Sequence, residues 1–236
     1  MRVAVGTSGY AYKEWKGTFY PEKLPQDQML RYYGEQFPTV EINNTFYRMP
    51  SEKVVLNWAS QVPDTFQFVL KASQRITHQK RLQDVGEELG YFLKTSSVLG
   101  ARLGPTLFQL PPNFKKDVAR LEAFLALLPY RWRAAVEFRH ASWYDDEVFT
   151  ALRNRGVALC AADTDEAEAL VEPTADWGYL RLRGEQYQEA DLKRWAQRVL
   201  AQPWQEAFVF FKHEDAGTGP AFARQFMQAL GRGETP

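Results

Sequence analysis

The chain has 236 residues, 45% of them hydrophobic, and its 29 basic side chains balance 29 acidic ones. This composition permits a full hydrophobic core, and the lack of a basic excess argues against a broad nonspecific nucleic-acid-binding surface. No linker rich in glycine, serine or charge divides the sequence, so we expect one domain over residues 1–236. The single cysteine, Cys160, excludes a disulfide framework and a cysteine-based zinc motif. Because no apolar segment approaches signal-peptide or membrane-span length, we expect a soluble cytoplasmic protein without a membrane partner.

Eight short apolar segments that run into polar or charged residues follow one another along the chain. They span residues 3–6, 40–43, 66–71, 106–109, 134–139, 158–163, 179–183 and 207–212. Residues at helical spacing separate most of them, as where Leu121, Phe124, Leu125 and Leu128 precede Pro129. This alternation predicts a single TIM-type (β/α)8 barrel. The sixth unit has room for little more than one helical turn in residues 164–174, so we expect it to be irregular.

Alternation within the strands predicts which polar side chains point into the barrel. The outer face of each strand packs under the helices and must be apolar, so polar residues of one parity face inward. The residues placed inside in this way are Glu41, Asn43, Gln67, Lys71, Gln109, Glu137, Arg139, Arg181, Arg183 and Lys212. We expect one connected, largely buried polar cluster that contains Glu41, Lys71, Glu137, Arg139 and Arg181. Barrel enzymes place their chemistry at the C-terminal ends of the strands, which are called the mouth below.

Glu137, Arg139 and His140 stand together at the end of the fifth strand. A carboxylate beside an arginine suits a general acid or base next to an anion-binding group, because a guanidinium binds phosphate or carboxylate through two parallel hydrogen bonds. Glu41 supplies a second interior carboxylate, and two carboxylates with different pKa values can divide acid and base roles. Glu137 and Glu41 are therefore the candidate catalytic residues. The alternative is structural pairing, for example of Glu41 with Arg181 or Lys71.

Other polar residues at the strand ends complete the candidate substrate-binding set. Its members are Asn43, Lys71, Gln109, Arg139, His140, Arg181, Arg183 and Lys212. Lys71 and Lys212 could instead form a Schiff base with a carbonyl substrate, although phosphate contact or structural pairing is the favoured interpretation of a lone strand-end lysine. The sequence indicates no particular cofactor.

The most basic segment, residues 71–81, follows the third strand and contains no acidic residue. It could neutralise a phosphorylated ligand or follow a nucleic-acid backbone, with aromatic residues of neighbouring loops stacking on bases. A solvated surface loop is the alternative.

All three histidines, His78, His140 and His213, follow strand ends, so they could meet near Asp163 and the interior glutamates and hold a transition metal. No HExxH or comparable spacing supports such a site, and we assign no metal ligands.

The chain resembles the YecE-like family of barrel proteins of unknown function from residue 5 to about residue 230. The resemblance rests on GTSGY at 6–10, WKGTFYP at 15–21, VEINNTFY at 40–47, FVLKAS at 68–73, LFQLPP at 107–112, and EFRH at 137–140 with SW at 142–143. It implies a TIM-type barrel and no settled activity. The chain departs from the family where RLRG at 181–184 replaces the more usual Arg-x-His-Gly, and where FKHE at 211–214 replaces paired asparagines. Both departures make this mouth more basic.

Three functional hypotheses follow. The preferred one is an enzyme that binds an anionic small molecule or nucleotide at the mouth, held by arginine and lysine, with Glu137 or Glu41 transferring a proton. The second is a nucleic-acid-binding or nucleic-acid-processing protein that uses residues 71–81 and the aromatic loops. The third is a non-catalytic barrel whose interior charges are structural.

Overall fold

The computed structural model describes residues 1–164, 168–213 and 217–231, and it contains all eight predicted strands. The strands are β1 (Arg2–Thr7), β2 (Thr39–Ile42), β3 (Gln67–Lys71), β4 (Leu103–Gln109), β5 (Ala134–Glu137), β6 (Ala158–Ala162), β7 (Trp177–Leu182) and β8 (Glu206–Phe211). They form one parallel sheet in the order β1-β8-β7-β6-β5-β4-β3-β2. The predicted barrel fold is therefore confirmed.

Helices connect most of the strands. In the described part of the chain they are α1 (Met29–Gln36), α2 (Asn44–Tyr47), α3 (Glu52–Ala59), α4 (Gly86–Ser97), α5 (Val118–Leu127), α6 (Asp146–Asn154), α7 (Glu189–Leu200) and α8 (Thr218–Ala229). The Asp145 side chain caps α6 by accepting a hydrogen bond from the Glu147 amide, and Asp146 and Glu147 add the predicted negative charge to its first turn. Between β6 and β7 the described residues contain no helix, as expected for the irregular sixth unit.

The junction between β1 and β2 closes the barrel without a regular ladder. The Tyr33 hydroxyl of α1 lies between the two strands, where it accepts a hydrogen bond from the Thr7 amide at 2.8 Å and donates one to the Thr39 carbonyl at 3.0 Å. An isolated parallel bridge joins Ser8 to Glu41. Gly6 permits the close approach, because a Cβ at that position would lie only 2.1 Å from the Thr39 oxygen.

The barrel interior changes from apolar to polar along the strands. Towards the N-terminal ends it is filled by an apolar cluster that includes Val69, Leu107, Trp177 and Phe208. A larger apolar layer packs between the outside of the strands and the helices. At the C-terminal ends the interior positions carry buried polar side chains, so the fold itself places the charged residues at the mouth. No helix in the described ranges is long and apolar enough to cross a membrane.

Candidate functional site

The centre of the mouth is a buried ion network of Glu41, Arg181 and Glu137, called the buried triad below. Arg181 Nη2 donates to Glu41 Oε1 at 2.9 Å, and Arg181 Nη1 donates to Glu137 Oε2 at 2.6 Å. The arginine side chain is 2% exposed, and both carboxylates are fully buried. The predicted inward orientation of these three residues is confirmed, and their contacts join β2, β5 and β7 across the barrel.

Glu41 is held by residues that the sequence analysis did not select. Its Oε2 accepts a hydrogen bond from the Tyr179 hydroxyl at 2.5 Å, and its Oε1 accepts one from Ser8 Oγ at 2.7 Å. Burial raises the pKa of Tyr179 well above its usual value, so the hydroxyl stays protonated and continues to donate. Tyr179 shares strand parity with Arg181, and that alternation is the signal that could have identified it.

Glu137 joins the buried triad to the more exposed part of the mouth. Its Oε1 accepts hydrogen bonds from Gln109 Nε2 at 3.1 Å and from Arg139 Nε, and it lies 3.6 Å from Arg183 Nη1. Burial alone would raise the pKa of Glu137, but the surrounding arginines outweigh that effect and lower it to about 2. The carboxylate is therefore ionised at neutral pH and is a weak base.

Arg139 and Arg183 lie above this carboxylate and form a pair that we call the arginine clamp. Their side chains are 28% and 19% exposed, so each guanidinium contacts Glu137 on one side and reaches solvent on another. Burial, together with the neighbouring Arg139, lowers the pKa of Arg183. Two like charges this close favour a shared anion.

Among the described residues, the charges grouped around the buried triad do not balance. Arg139, Arg183 and Lys71 lie around a buried triad whose own formal charge is minus one. Asp163 adds one further carboxylate, since it accepts a hydrogen bond from the Arg183 amide at 2.5 Å, and burial raises the pKa of Asp163. The group keeps a net positive charge at neutral pH even when Asp163 is counted as ionised.

Lys71 lies at the end of β3 beside this group. Its Nζ is 4.1 Å from the centroid of the Phe46 ring, and in the described part of the chain no carboxylate lies within ion-pair distance of it. Burial and the charge of Arg181 lower the pKa of Lys71 to about 8, although Glu41 and Glu137 act in the opposite direction. Lys71 therefore interacts with the buried triad electrostatically and not through a hydrogen bond.

The remaining candidate substrate-binding residues, Asn43, His140 and Lys212, follow the C-terminal ends of their strands. Asn43 follows β2, and its Oδ1 is enclosed with no hydrogen-bond partner among the residues described. His140 uses Nδ1 to accept a hydrogen bond from the Ser142 amide at 3.1 Å, within its own loop. Lys212 follows β8 and has an exposed side chain. Gln67, which was also predicted to face inward, lies at the opposite end of the barrel and accepts a hydrogen bond from Arg2.

The basic segment 71–81 is partly neutralised by α4. Arg75 lies 3.2 Å and Lys80 2.9 Å from carboxylate oxygens of Glu88. Arg81 lies over the Phe114 ring, 5.9 Å from its centroid. These pairings leave less unbalanced positive charge than the sequence alone indicates.

The histidines do not assemble into a metal site in the described residues, where no group of three histidine, cysteine, aspartate or glutamate side chains is arranged to hold an ion. His78 Nδ1 lies 2.9 Å from Thr77 Oγ1, and its ring packs edge-on against Phe46. His213 Nε2 lies 2.5 Å from the Gly184 carbonyl oxygen and donates to it. Each ring is therefore engaged with a different neighbour.

A cavity of about 720 Å³ lies at the N-terminal end of the barrel, away from the mouth. It is lined by residues 128–133, Trp177 and Glu206, among others. Inside it, Arg133 donates to Glu206 at 2.6 Å and lies 4.8 Å from the Trp177 ring centroid. Because this arginine is already paired and the N-terminal face of such barrels serves stability, we place the candidate site at the mouth.

Fold and site together define an α/β-barrel protein whose C-terminal mouth contains a buried ion network with two further arginines beside it. The chain belongs to the family described as "Protein of unknown function DUF72", whose model matches residues 4–236. The resemblance to the YecE-like family is thereby confirmed.

Two bacterial proteins are similar to this chain in sequence. The UPF0759 protein YecE of Escherichia coli strain K12 is 34% identical over 129 residues, which cover 54% of this chain and 47% of that protein. The chain thus matches about half the length of this relative. The UPF0759 protein YunF of Bacillus subtilis strain 168 is 24% identical, with 97% of this chain and 94% of that protein covered.

Solved structures of DUF72 family proteins have the same fold. The protein from Thermotoga maritima has a TM-score of 0.83 and 31% identity, covering 98% of this chain and 100% of that one. The protein from Enterococcus faecalis has a TM-score of 0.82 at 19% identity, covering 99% and 97%, and supports the fold alone.

Proposed function

We propose that the chain is an enzyme that binds an anionic small molecule at the mouth, through a phosphate or carboxylate group held by the arginine clamp. The observation that carries this proposal is the position of Arg139 and Arg183. Both are partly exposed, and both are held from below by one fully buried carboxylate oxygen of Glu137. Guanidinium groups fixed in this way bind planar or tetrahedral anions with little loss of side-chain freedom.

The buried triad supports the clamp rather than touching the ligand in this proposal. Both terminal nitrogens of Arg181 already donate to carboxylates, and the side chain is almost wholly buried. Glu41 accepts from three internal donors. A carboxylate with a pKa near 2 is a weak proton acceptor at neutral pH, so we assign Glu137 to positioning. A positioning role is therefore better supported for Glu41 and Glu137 than the catalytic roles that the sequence predicts.

Nucleic-acid binding has weaker support than the binding of a small anion. The basic segment 71–81 has two of its charges paired with Glu88, and the chain as a whole carries no excess of basic residues. A nucleic-acid backbone would need several unpaired cations spread over a wide surface. The net positive charge described above is that of a small group of side chains around the buried triad.

The proposal is tested by thermal unfolding in inorganic phosphate, pyrophosphate and citrate, with chloride at matched ionic strength as the reference. A ligand present at a hundred times its Kd stabilises a protein by about 2.7 kcal/mol, which is about 5–10 °C in midpoint for a chain of this length. We expect a rise of this kind in the parent chain. Each variant is compared with its own midpoint in chloride, so a change in basal stability does not enter.

The Arg139→Ala/Arg183→Ala double variant should lose the anion-dependent rise. The matched control is Arg194→Ala, which removes an exposed arginine of α7 and should keep this rise. If no phosphate or carboxylate raises the parent midpoint, or if the double variant responds as the parent does, the clamp has no such role. Binding of single- or double-stranded nucleic acid at low salt, lost in an Arg75→Ala/Lys80→Ala/Arg81→Ala variant, would favour the alternative.

A further inference from the structure

Lys71 differs from the neighbouring arginines of the mouth in having no carboxylate partner among the described residues. Arg181 contacts the carboxylates of Glu41 and Glu137. Arg139 and Arg183 each contact the carboxylate of Glu137. The Lys71 ammonium instead lies against an aromatic face, 4.1 Å from the Phe46 ring centroid. Among the described residues, no carboxylate lies within 4 Å of it, whereas Lys80 has one and Lys116 has two.

The backbone fixes this lysine in place. Lys71 is the last residue of β3, and its carbonyl oxygen accepts a hydrogen bond from Thr45 Oγ1 at 2.7 Å. Thr45 and Phe46 both belong to the short helix α2 that follows β2. Helix α2 therefore holds the backbone of the last residue of β3 and also supplies the ring that lies against the Lys71 amine.

The surroundings of Lys71 favour the neutral amine, which is the nucleophilic form. With a pKa of about 8, about one amine in ten is neutral at pH 7, against about one in three thousand for an ordinary lysine. Desolvation beside other cations is a known way to make a lysine nucleophilic. A lysine that served only to hold phosphate would gain nothing from this loss of charge.

A histidine that can carry a proton packs against the same phenylalanine ring. His78 packs edge-on against Phe46 with ring centroids 4.8 Å apart, and its Nδ1 contacts Thr77. Burial, together with the charges of Lys71 and Arg139, lowers the pKa of His78, so the imidazole is neutral at neutral pH. A neutral imidazole can accept a proton and return it in a later step.

We propose that Lys71 forms a Schiff base with the carbonyl group of an aldehyde or ketone that carries a phosphate or carboxylate. This inference rests on the proposed function, because the anionic group of the substrate would lie on the arginine clamp. The amine nitrogen bonds to the carbonyl carbon, and a proton passes from that nitrogen, by way of His78, to the former carbonyl oxygen. The hydroxyl group of the resulting carbinolamine then takes up the second proton of the nitrogen, again by way of His78, and leaves as water, so that a carbon–nitrogen double bond remains. Nothing is oxidised or reduced.

Reductive trapping with peptide mapping tests the proposal on the full chain. The chain is treated with dihydroxyacetone phosphate or pyruvate in the presence of cyanoborohydride at pH 7, and the modified residues are located by mass spectrometry. We expect Lys71 to react at least about tenfold faster than any exposed lysine, because far more of it is neutral at this pH. Mapping of the parent needs no variant, so the test holds even if a substitution at Lys71 prevents folding.

Variants and a neutral analogue separate this inference from the proposed function. Lys71→Arg should abolish the adduct at this position, whereas Lys80→Arg should leave it unchanged. Neutral dihydroxyacetone should react with Lys71 about tenfold less than its phosphate, and Arg139→Gln/Arg183→Gln should remove that difference.

Modification scattered evenly over surface lysines, or none at Lys71, overturns the Schiff-base role. If phosphate still raises the thermal midpoint in that case, the proposed anion site stands without it. If Lys71 reacts selectively but makes no distinction between the neutral and phosphorylated ketones, the lysine is reactive and the arginine clamp is refuted instead.

Discussion

Replacing Glu137 by glutamine removes the charge that faces three arginines while leaving the shape of the side chain almost unchanged. Arg181 would then be buried with Glu41 as its only carboxylate, and Arg139 and Arg183 would lose their shared ion partner. Breaking one side of a buried ion pair costs about 3–5 kcal/mol. For a chain of this length that is about 6–20 °C in midpoint, a large part of ordinary domain stability.

The pH dependence gives an independent measure of the same effect. The pKa of Glu137 is lowered from 4.5 to about 2, so its stabilising contribution is complete above pH 4.5 and is lost as the pH falls through about 2. That difference corresponds to about 3 kcal/mol, in agreement with the value expected for breaking the pair. Glu137→Gln should therefore be less stable than the parent at pH 7, and the two should converge as the pH approaches 2.

The assay is urea unfolding, followed by circular dichroism, of both chains at a series of pH values. Glu189→Gln is the matched control, because Glu189 is an exposed carboxylate paired only with Lys193 in the next turn of α7. Its free energy of unfolding at pH 7 should fall by no more than about 1 kcal/mol, because the pair is exposed and the charge lies at a helix N-terminus. A Glu137→Gln variant as stable as the parent at pH 7, with an unchanged pH profile, would refute the view that this carboxylate holds the three arginines.

Other predictions concern the barrel junction and the buried thiol. Tyr33→Phe, which removes the hydroxyl between β1 and β2, should cost about 1–3 kcal/mol in urea unfolding, with unchanged stability as the contrary result. Gly6→Ala should cost about 2 kcal/mol or more because its Cβ would meet the Thr39 oxygen, whereas Gly86→Ala, with open space around it, should not destabilise. Cys160 is buried and its pKa is raised, so a thiol reagent should modify it only on unfolding.

The fold was predictable because its signals are local. Each strand and helix is encoded in the periodicity of a short segment, and eight alternating units leave few architectures to choose from. The errors lie at the ends of elements. β4 begins at Leu103 rather than at residue 106. Glycine and proline usually interrupt strands, so Gly104 and Pro105 concealed the first three residues of this strand. β5 ends at Glu137, two residues earlier than predicted, since Phe138 and Arg139 already belong to the loop.

The site was predictable only in part, because strand parity gives orientation and not partners. Parity correctly placed Glu41, Glu137 and Arg181 inside the barrel, and the pairing of Glu41 with Arg181 was one of the alternatives considered. Which partner each carboxylate would take depends on how β2, β5 and β7 face one another across the barrel. Those strands are not neighbours in the sheet, and no local pattern encodes their relative heights. The contribution of Phe46 was missed for the same reason, since it comes from another unit.

The buried triad explains how a barrel can hold Arg139 and Arg183 around one carboxylate at its mouth and remain folded. Arg139 and Arg183 repel each other, and in an apolar interior they would turn outwards into water. Glu137 prevents this by contacting both arginines. Burying the Glu137 carboxylate costs free energy, which its ion pair with Arg181 offsets. The burial of Arg181 is offset in turn by its ion pair with Glu41. Each charge is thus stabilised by the one beneath it, until Tyr179 and Ser8 complete the series with neutral hydroxyl groups. The positive charge of Arg139 and Arg183 lies at the solvent-exposed end of this series, which is where we propose that an anionic ligand enters.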